Sequence, residues 1–152
     1  MLVDANLRSP SQHLTFGVRS SPGFVDVTAG ISDVQLGTLA QSEIGFTLLP
    51  AGDTSDYPIH LMRQSVLEQT LGELRKRFDW IVVDGPPVTI YAEAATLSAL
   101  ADATVLVIRA ESTRAEVADQ AKRTIVNAGG RLIGAILNRR QYHIPEFIYR
   151  HL

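Results

Sequence analysis

The sequence predicts an α/β fold built on a doubly wound, mainly parallel sheet, and three observations support this. Apolar runs of strand length alternate along the chain with segments of helical spacing. Two of those runs, residues 80–83 and 103–108, are almost continuously apolar, which is typical of strands covered on both faces. Polar residues follow several of the runs, at the strand ends where ligands bind in such sheets. A chain of 152 residues with 45% hydrophobic content predicts a single domain with a substantial core.

The elements follow one another in the order that such a sheet requires. Strands are predicted at residues 1–3, 44–49, 80–83, 103–108 and 132–137, and helices at 61–78, 92–100 and 113–127. Residues 9–30 predict a loop with a weak helix around 24–27. Leu67, Leu71 and Leu74 recur at helical spacing within the first long helix. For the last helix, Ser112 or Thr113 is predicted as the N-cap, and Gly129-Gly130 is predicted to close it.

Composition excludes several classes of protein. The net charge of −2 gives no general attraction to nucleic acid or to an anionic membrane. The absence of cysteine excludes disulfides, thiolate chemistry and cysteine-ligated metal centres. No apolar run approaches the roughly 20 residues that span a bilayer, and no signal segment opens the chain.

Two carboxylates are the first candidates for a functional site. Asp4 and Asp84 each end an apolar strand, so together they suit a magnesium ion beside the phosphates of a nucleotide. The alternative is that each carboxylate only caps the loop that follows its strand. Gly85-Pro86-Pro87 favours a site, because glycine lets backbone approach a ligand and proline stiffens the exit. A phosphoacceptor receiver domain is rejected, since the acidic pair on the first strand and the lysine on the last are both absent.

Several motifs together resemble one known family, the bacterial tyrosine kinases of capsule and exopolysaccharide synthesis. Residues 2–10, Leu-Val-Asp-Ala-Asn-Leu-Arg-Ser-Pro, resemble the family's Walker A-prime motif. Residues 78–87, Phe-Asp-Trp-Ile-Val-Val-Asp-Gly-Pro-Pro, resemble its Walker B strand. Residues 22–27, 48–52 and 134–139 also fit in the right order, so the similarity runs over nearly the whole chain.

The resemblance implies a P-loop ATPase fold of the group that includes partition and division-site ATPases, with ATP and Mg²⁺ as cofactors. It implies that Asp4 lies near magnesium and the reacting hydroxyl, and that Asp84 holds magnesium through water. Asn6 stands where the family has a second, catalytic Asp. Asn138 is implied near the adenine, and Arg8 matches the family's arginine beside the cofactor.

The sequence also departs from the family pattern. The family's Walker A loop, G-x-x-x-x-G-K-[ST], should precede Asp4, but the chain contains no Gly-Lys pair. An amide at Asn6 can orient a hydroxyl but cannot act as a base. The family's terminal tyrosine cluster is reduced to two separated tyrosines, Tyr142 and Tyr149. We therefore expect an N-terminally truncated, incomplete ATPase-like domain at residues 1–138, followed by a basic aromatic tail at 139–152.

These observations predict the carboxyl-terminal part of a capsule or exopolysaccharide kinase-like ATPase that is inactive alone. Its expected partner is a membrane chain-length regulator of polysaccharide export, and its expected location is the cytoplasm or the inner face of the membrane. Two alternatives remain, a non-catalytic interaction or regulatory module of the same family and a fragment of a partition-type ATPase. Without the Walker A strand, two strand edges must pair directly, be covered or find a partner chain, so altered strand order or oligomerisation is expected.

Overall fold

The computed structural model describes residues 1–31, 40–41, 45–55 and 63–141. Its strands are β1 (Leu2–Asp4), β2 (Ala40–Gln41), β3 (Thr47–Leu49), β4 (Val82–Asp84), β5 (Thr104–Arg109) and β6 (Leu132–Asn138). Its helices are α1 (Gln12–Thr15), α2 (Phe24–Thr28), α3 (Gln64–Arg75), α4 (Ala92–Leu100) and α5 (Ala115–Asn127). The alternation of strands and helices confirms the predicted α/β class.

The strands form two sheets. One has four strands in the order β2-β3-β1-β4, and the other pairs β5 with β6. Every pairing is parallel except that of β2 with β3, so the sheets are mainly parallel, as predicted. Direct pairing of β4 with β5, one of the three expected ways to satisfy their edges, is not observed. Oligomerisation stays a prediction.

The core lies between the four-stranded sheet and its helices. Helix α3 contacts α4, and α4 contacts α5, so these three helices form one layer. The predicted apolar stripe of α3 is confirmed, because Leu67, Leu71 and Leu74 are all buried. Leu97 of α4 joins them in the same core cluster, together with Val3 of β1. The small α2 is fastened to the sheet by Phe24 N–H, which donates to the Pro50 carbonyl at 2.7 Å.

Two strands are less covered than their apolar sequences predict. The prediction for residues 80–83 was wrong in this respect, because Val82 is 62% exposed and Trp80 is 83% exposed. In β5, exposed and half-buried residues alternate, and Val107 is 60% exposed. The physical reason is that, within the described residues, helices cover only one face of these strands. The apolar sequences therefore predict strands that are covered on both faces, whereas the described residues cover these strands on one face only.

The helix ends differ in detail from the sequence prediction. The N-cap of α5 is Arg114, with no side-chain cap hydrogen bond, so neither Ser112 nor Thr113 caps it. The predicted closure by glycine is confirmed, since Gly129 has φ +87° and its N–H donates to the Val126 carbonyl. Helix α3 ends at Arg75, three residues earlier than predicted, and predicted residues 61–62 lie outside the described ranges. Among the helices that the structure describes, none has the length and apolar character needed to cross a bilayer.

Candidate functional site

The two predicted carboxylates lie side by side at the carboxyl edge of the four-stranded sheet. Strand β1 pairs in parallel with β4, and Asp4 and Asp84 are register partners. The Ala5 N–H donates to the Asp84 carbonyl at 2.9 Å, which continues the pairing one residue past β1. The fold thus brings together two residues that are 80 positions apart in the sequence, as the two strand-end motifs predict.

Asp4 organises the loop that follows β1. Its side chain is fully buried, and three backbone N–H groups donate to it. Asn6 N–H donates to Oδ1 at 3.2 Å, and Ser11 and Gln12 N–H donate to Oδ2 at 3.1 and 3.0 Å. Hydrogen bonds to a buried carboxylate are strong, so these three bonds stabilise the fold of the loop. The geometry therefore shows that Asp4 caps the loop and the start of α1.

Asp84 is the more accessible carboxylate of the pair. The side-chain amide of Gln12 donates from Nε2 to Asp84 Oδ2 at 2.6 Å. Burial raises the pKa of Asp84, the Gln12 hydrogen bond opposes that rise, and the charge of Asp4 adds to it. Gln12 links the two carboxylates, because its backbone N–H donates to Asp4 and its side-chain amide donates to Asp84.

Gln12 is the site residue that sequence reasoning missed. It lies eight residues after Asp4, in the first turn of a four-residue helix, with no recognisable spacing. Only the path of the loop brings it back over the end of β4. Asn6, by contrast, was predicted, and its Oδ1 is buried without a hydrogen-bond partner among the described residues. A buried oxygen of this kind leaves a place for a donor that is not part of the protein.

The residues fit magnesium in part. Mg²⁺ is usually held by one or two carboxylates together with waters and substrate phosphates, so the Asp4–Asp84 pair is a suitable donor set. Asp84 is the better ligand, because both oxygens of Asp4 already accept backbone N–H groups. Within the described residues, no cluster of three or more His, Cys, Asp or Glu side chains could form an all-protein cage. A magnesium ion here would depend on phosphate oxygens.

Arg8 is held against the start of α4. Its Nε donates to Glu93 Oε1 at 2.9 Å, and its guanidinium carbon lies 5.1 Å from the ring centroid of Tyr91. These contacts join the loop after β1 to the helix after β4. They place Arg8 on the same edge as the carboxylates, and its predicted role beside a cofactor stays a prediction.

Asn138 lies at the end of the other sheet. It is the register partner of Arg109, and its Oδ1 accepts the Arg139 N–H at 2.8 Å. Beside it a polar cleft of about 430 Å³ opens between the loops after β5 and β6, lined by Arg109, Ala110, Glu111, Ser112, Arg139, Arg140 and Gln141. The predicted adenine contact of Asn138 stays a prediction. The predicted tail beyond Gln141, with its tyrosines and histidines, lies outside the described residues.

Comparison with solved structures identifies the family. The VpsO kinase domain is 30% identical, and the match covers 92% of this chain and 70% of that one with a TM-score of 0.84. This chain belongs to the bacterial tyrosine kinase family. No family model matches the sequence. The family assignment confirms the resemblance inferred from the Walker A-prime and Walker B motifs.

Curated bacterial tyrosine kinases show the same similarity over most of this chain. Tyrosine-protein kinase YwqD of Bacillus subtilis is 29% identical over 141 residues, which cover 93% of this chain. The putative tyrosine-protein kinase CapB of Staphylococcus aureus is 27% identical over 139 residues. The chain spans only 60% of YwqD and 61% of CapB. These bacterial tyrosine kinases are therefore substantially longer than the sequence described.

More distant structures share the fold. The kinase domain of the Escherichia coli tyrosine kinase ETK, 24% identical, matches 95% of this chain with a TM-score of 0.85. The structure of Cyanthece apo McdA, 17% identical, matches 90% of it with a TM-score of 0.72. The bacterial tyrosine kinase fold assigned to this chain, P-loop NTPase-like and mainly parallel, agrees with the fold that the sequence predicts.

Proposed function

We propose that this chain is the carboxyl-terminal part of an ATP-dependent, tyrosine-kinase-like protein of capsular or exopolysaccharide biosynthesis. The names of the relatives support the class, since they include a putative tyrosine-protein kinase in the cps region of Klebsiella pneumoniae and the putative EpsB kinase of Ralstonia solanacearum. The observation that carries the proposal is the Asp4–Gln12–Asp84 cluster at the carboxyl edge of the sheet.

Each residue of the cluster has a proposed role. Asp84 would hold Mg²⁺ through water, and the chemistry that a bound ion would supply there is neutralisation of charge on the phosphates. Asp4 keeps the loop after β1 folded, and we propose that the side chain of Asn6 in that loop contacts the reacting hydroxyl. Asn6 can orient that hydroxyl but cannot remove its proton. Arg8 is proposed to contact the cofactor, and Asn138 is proposed to contact its adenine.

The 152-residue chain is proposed to be inactive alone. Phosphoryl transfer depends on positioning and on cationic contacts to the phosphates, which the Walker A amides and lysine supply. The chain's lysines, Lys76 and Lys122, lie at a helix C-cap and within α5. Neither follows a glycine, so neither belongs to a Walker A loop.

The proposed setting is the inner face of the bacterial membrane, beside a membrane chain-length regulator of polysaccharide export. A second candidate is a non-catalytic interaction or regulatory module of the same family. The net charge of −2 and the Pro86-Pro87 pair of the Walker B motif argue against a partition-type ATPase fragment.

Calorimetric titration with Mg–ATP tests the proposal. We expect no micromolar binding by the 152-residue chain, and binding by a longer protein if the upstream coding sequence supplies G-x-x-x-x-G-K-[ST]. Asp84→Asn should abolish magnesium-dependent binding in the longer protein. Asp102→Asn is the matched control, because Asp102 is 94% exposed and lies beside Arg75, near the opposite end of α4. Micromolar binding by the short chain would refute the need for a Walker A loop, and an upstream sequence without the motif would favour the interaction module.

A further inference from the structure

The side chain of Gln12 makes a short hydrogen bond to Asp84, from Nε2 to Oδ2 at 2.6 Å. We infer that Gln12 is a positioning residue, whose side-chain amide orients the Asp84 carboxylate so that its second oxygen stays available to a hydrated divalent cation. The inference rests on the proposed role of Asp84 in holding Mg²⁺, and it adds the residue that prepares this ligand.

The backbone of Gln12 is fixed by hydrogen bonds at both of its polar groups. Its N–H donates to Asp4 Oδ2 at 3.0 Å, and its carbonyl accepts the Phe16 N–H at 3.0 Å. The preceding Ser11 N–H donates to the same Asp4 oxygen at 3.1 Å. Asp4 is fully buried at the end of β1, so these bonds tie the loop to the sheet. The Gln12 side chain therefore starts from a fixed point, as a side chain that orients another group requires.

The backbone of Asp84 is also fixed, whereas its carboxylate depends on Gln12. The Asp84 carbonyl accepts the Ala5 N–H at 2.9 Å, and Asp84 is the register partner of Asp4. Within the described residues, the hydrogen bond to the Asp84 carboxylate comes from Gln12 and uses Oδ2. This bond restrains rotation of the carboxylate and leaves Oδ1 for an ion or for a water bound to it.

The orientation of Asp84 matters because Asp4 is already occupied. Both oxygens of Asp4 accept backbone N–H groups. A cation at this edge therefore depends mainly on Asp84 among the two carboxylates. Carboxylates that hold metals are themselves hydrogen-bonded by neighbouring groups, and loss of such a partner lowers metal affinity by about 10–100-fold.

The chemistry of an amide suits this role. An amide NH₂ donates a hydrogen bond without carrying charge, so Asp84 keeps the negative charge that attracts a cation. A lysine or arginine could make the same bond, but its positive charge would repel the cation. Asp84 is only half-buried, so its charge retains contact with water and does not need Gln12 for solvation alone. The bond is therefore better explained by orientation than by satisfaction of a buried charge.

Titration of the full 152-residue chain with Mn²⁺ at pH 7, followed by NMR, tests the inference. Mn²⁺ prefers the same octahedral oxygen ligands as Mg²⁺, and it broadens the signals of nearby nuclei. In the wild type it should selectively broaden the Asp84 and Gly85 backbone amides and the Gln12 side-chain NH₂. Asp84→Asn should abolish this broadening at Gly85 and Gln12, which locates the ion.

A matched pair of glutamine variants isolates the side-chain bond. Gln12→Met keeps the length of the side chain and removes the donor, so it should weaken Mn²⁺ binding by about tenfold or more. Gln120→Met should leave Mn²⁺ binding unchanged, because Gln120 is exposed on α5. Amide hydrogen exchange at Asn6, Ser11 and position 12 should be unchanged in Gln12→Met, because those N–H groups bind Asp4 through the backbone.

The possible failures are distinguishable. Equal or tighter Mn²⁺ binding by Gln12→Met would overturn the inference and leave the proposed role of Asp84 intact. Faster amide exchange in Gln12→Met would overturn it too, because Gln12 would then hold the loop rather than the carboxylate. Absence of selective broadening in the wild type would overturn both the inference and the proposed magnesium role of Asp84.

Discussion

Replacing Asp4 by asparagine should destabilise the protein, whereas the same change at its register partner Asp84 should not. Both substitutions keep the side-chain shape and remove one charge, at neighbouring positions of paired strands. The difference lies in their hydrogen bonds. Asp4 accepts three backbone N–H groups, and the bond described for Asp84 comes from the side chain of Gln12.

The magnitude follows from those bonds. In Asp4→Asn, the amide oxygen can take the place of Oδ2 and keep the two donors there, but as neutral bonds about half as strong. The amide NH₂ then faces the Asn6 N–H, whose bond is lost. Hydrogen bonds to a charged group contribute about 1.5–3 kcal/mol and neutral ones about 1 kcal/mol. Relief of repulsion from Asp84 offsets part of the loss, so the net cost should be about 1–3 kcal/mol.

Asp84→Asn should be neutral or stabilising by up to about 1 kcal/mol. The asparagine oxygen can still accept the Gln12 amide, and the cost of burying a charge is removed. Urea denaturation at pH 7 measures both effects as shifts in the midpoint at constant m value. If Asp4→Asn is as stable as the wild type, or Asp84→Asn is the more destabilised, then the loop is not held by the Asp4 carboxylate.

Two further predictions concern the site, and a third compares two glycines. Burial holds the pKa of Asp84 above its value in the unfolded chain, so ionisation of Asp84 opposes folding. The stability advantage of Asp84→Asn over the wild type should therefore be present at pH 7 and disappear below about pH 4, as measured by urea denaturation at each pH. Gln12→Leu removes the hydrogen bond that lowers the pKa of Asp84, so an NMR titration of the Asp84 carboxyl carbon should move to higher pH, and an unchanged titration would contradict the assignment. Gly23→Ala should cost about 2–4 kcal/mol in thermal or urea unfolding, because a Cβ there collides with the backbone of Gly52 and Pro50. Gly72→Ala, in an open position of α3, should instead stabilise by up to about 1 kcal/mol, and equal effects of the two alanines would refute the collision.

Much of the site could be predicted because strand ends have simple consequences. An apolar run that ends in Asp places the carboxylate at the carboxyl edge, and parallel pairing brings two such edges together. Asp4 and Asp84 were found in this way. Gln12 could not be found, because its position depends on how an irregular loop folds back, and loop paths follow no periodicity. The N-cap of α5 was predicted wrongly for a related reason, since local propensity favours Ser112 or Thr113 but the chain enters the helix at Arg114.

The sequence by itself determined the class of fold and the two strand-end carboxylates, because apolar periodicity is a local property of the chain, and its motifs carried the resemblance to the family. The tertiary structure decided which groups those carboxylates bind: Asp4 accepts three backbone N–H groups, and Asp84 accepts the side-chain amide of Gln12. It also decided that the apolar strands β4 and β5 are open on one edge and one face within the described residues. An apolar sequence favours a strand that is covered by other parts of the protein. Covering it requires contacts between segments that are distant in the sequence, and only the tertiary structure shows which of these contacts form.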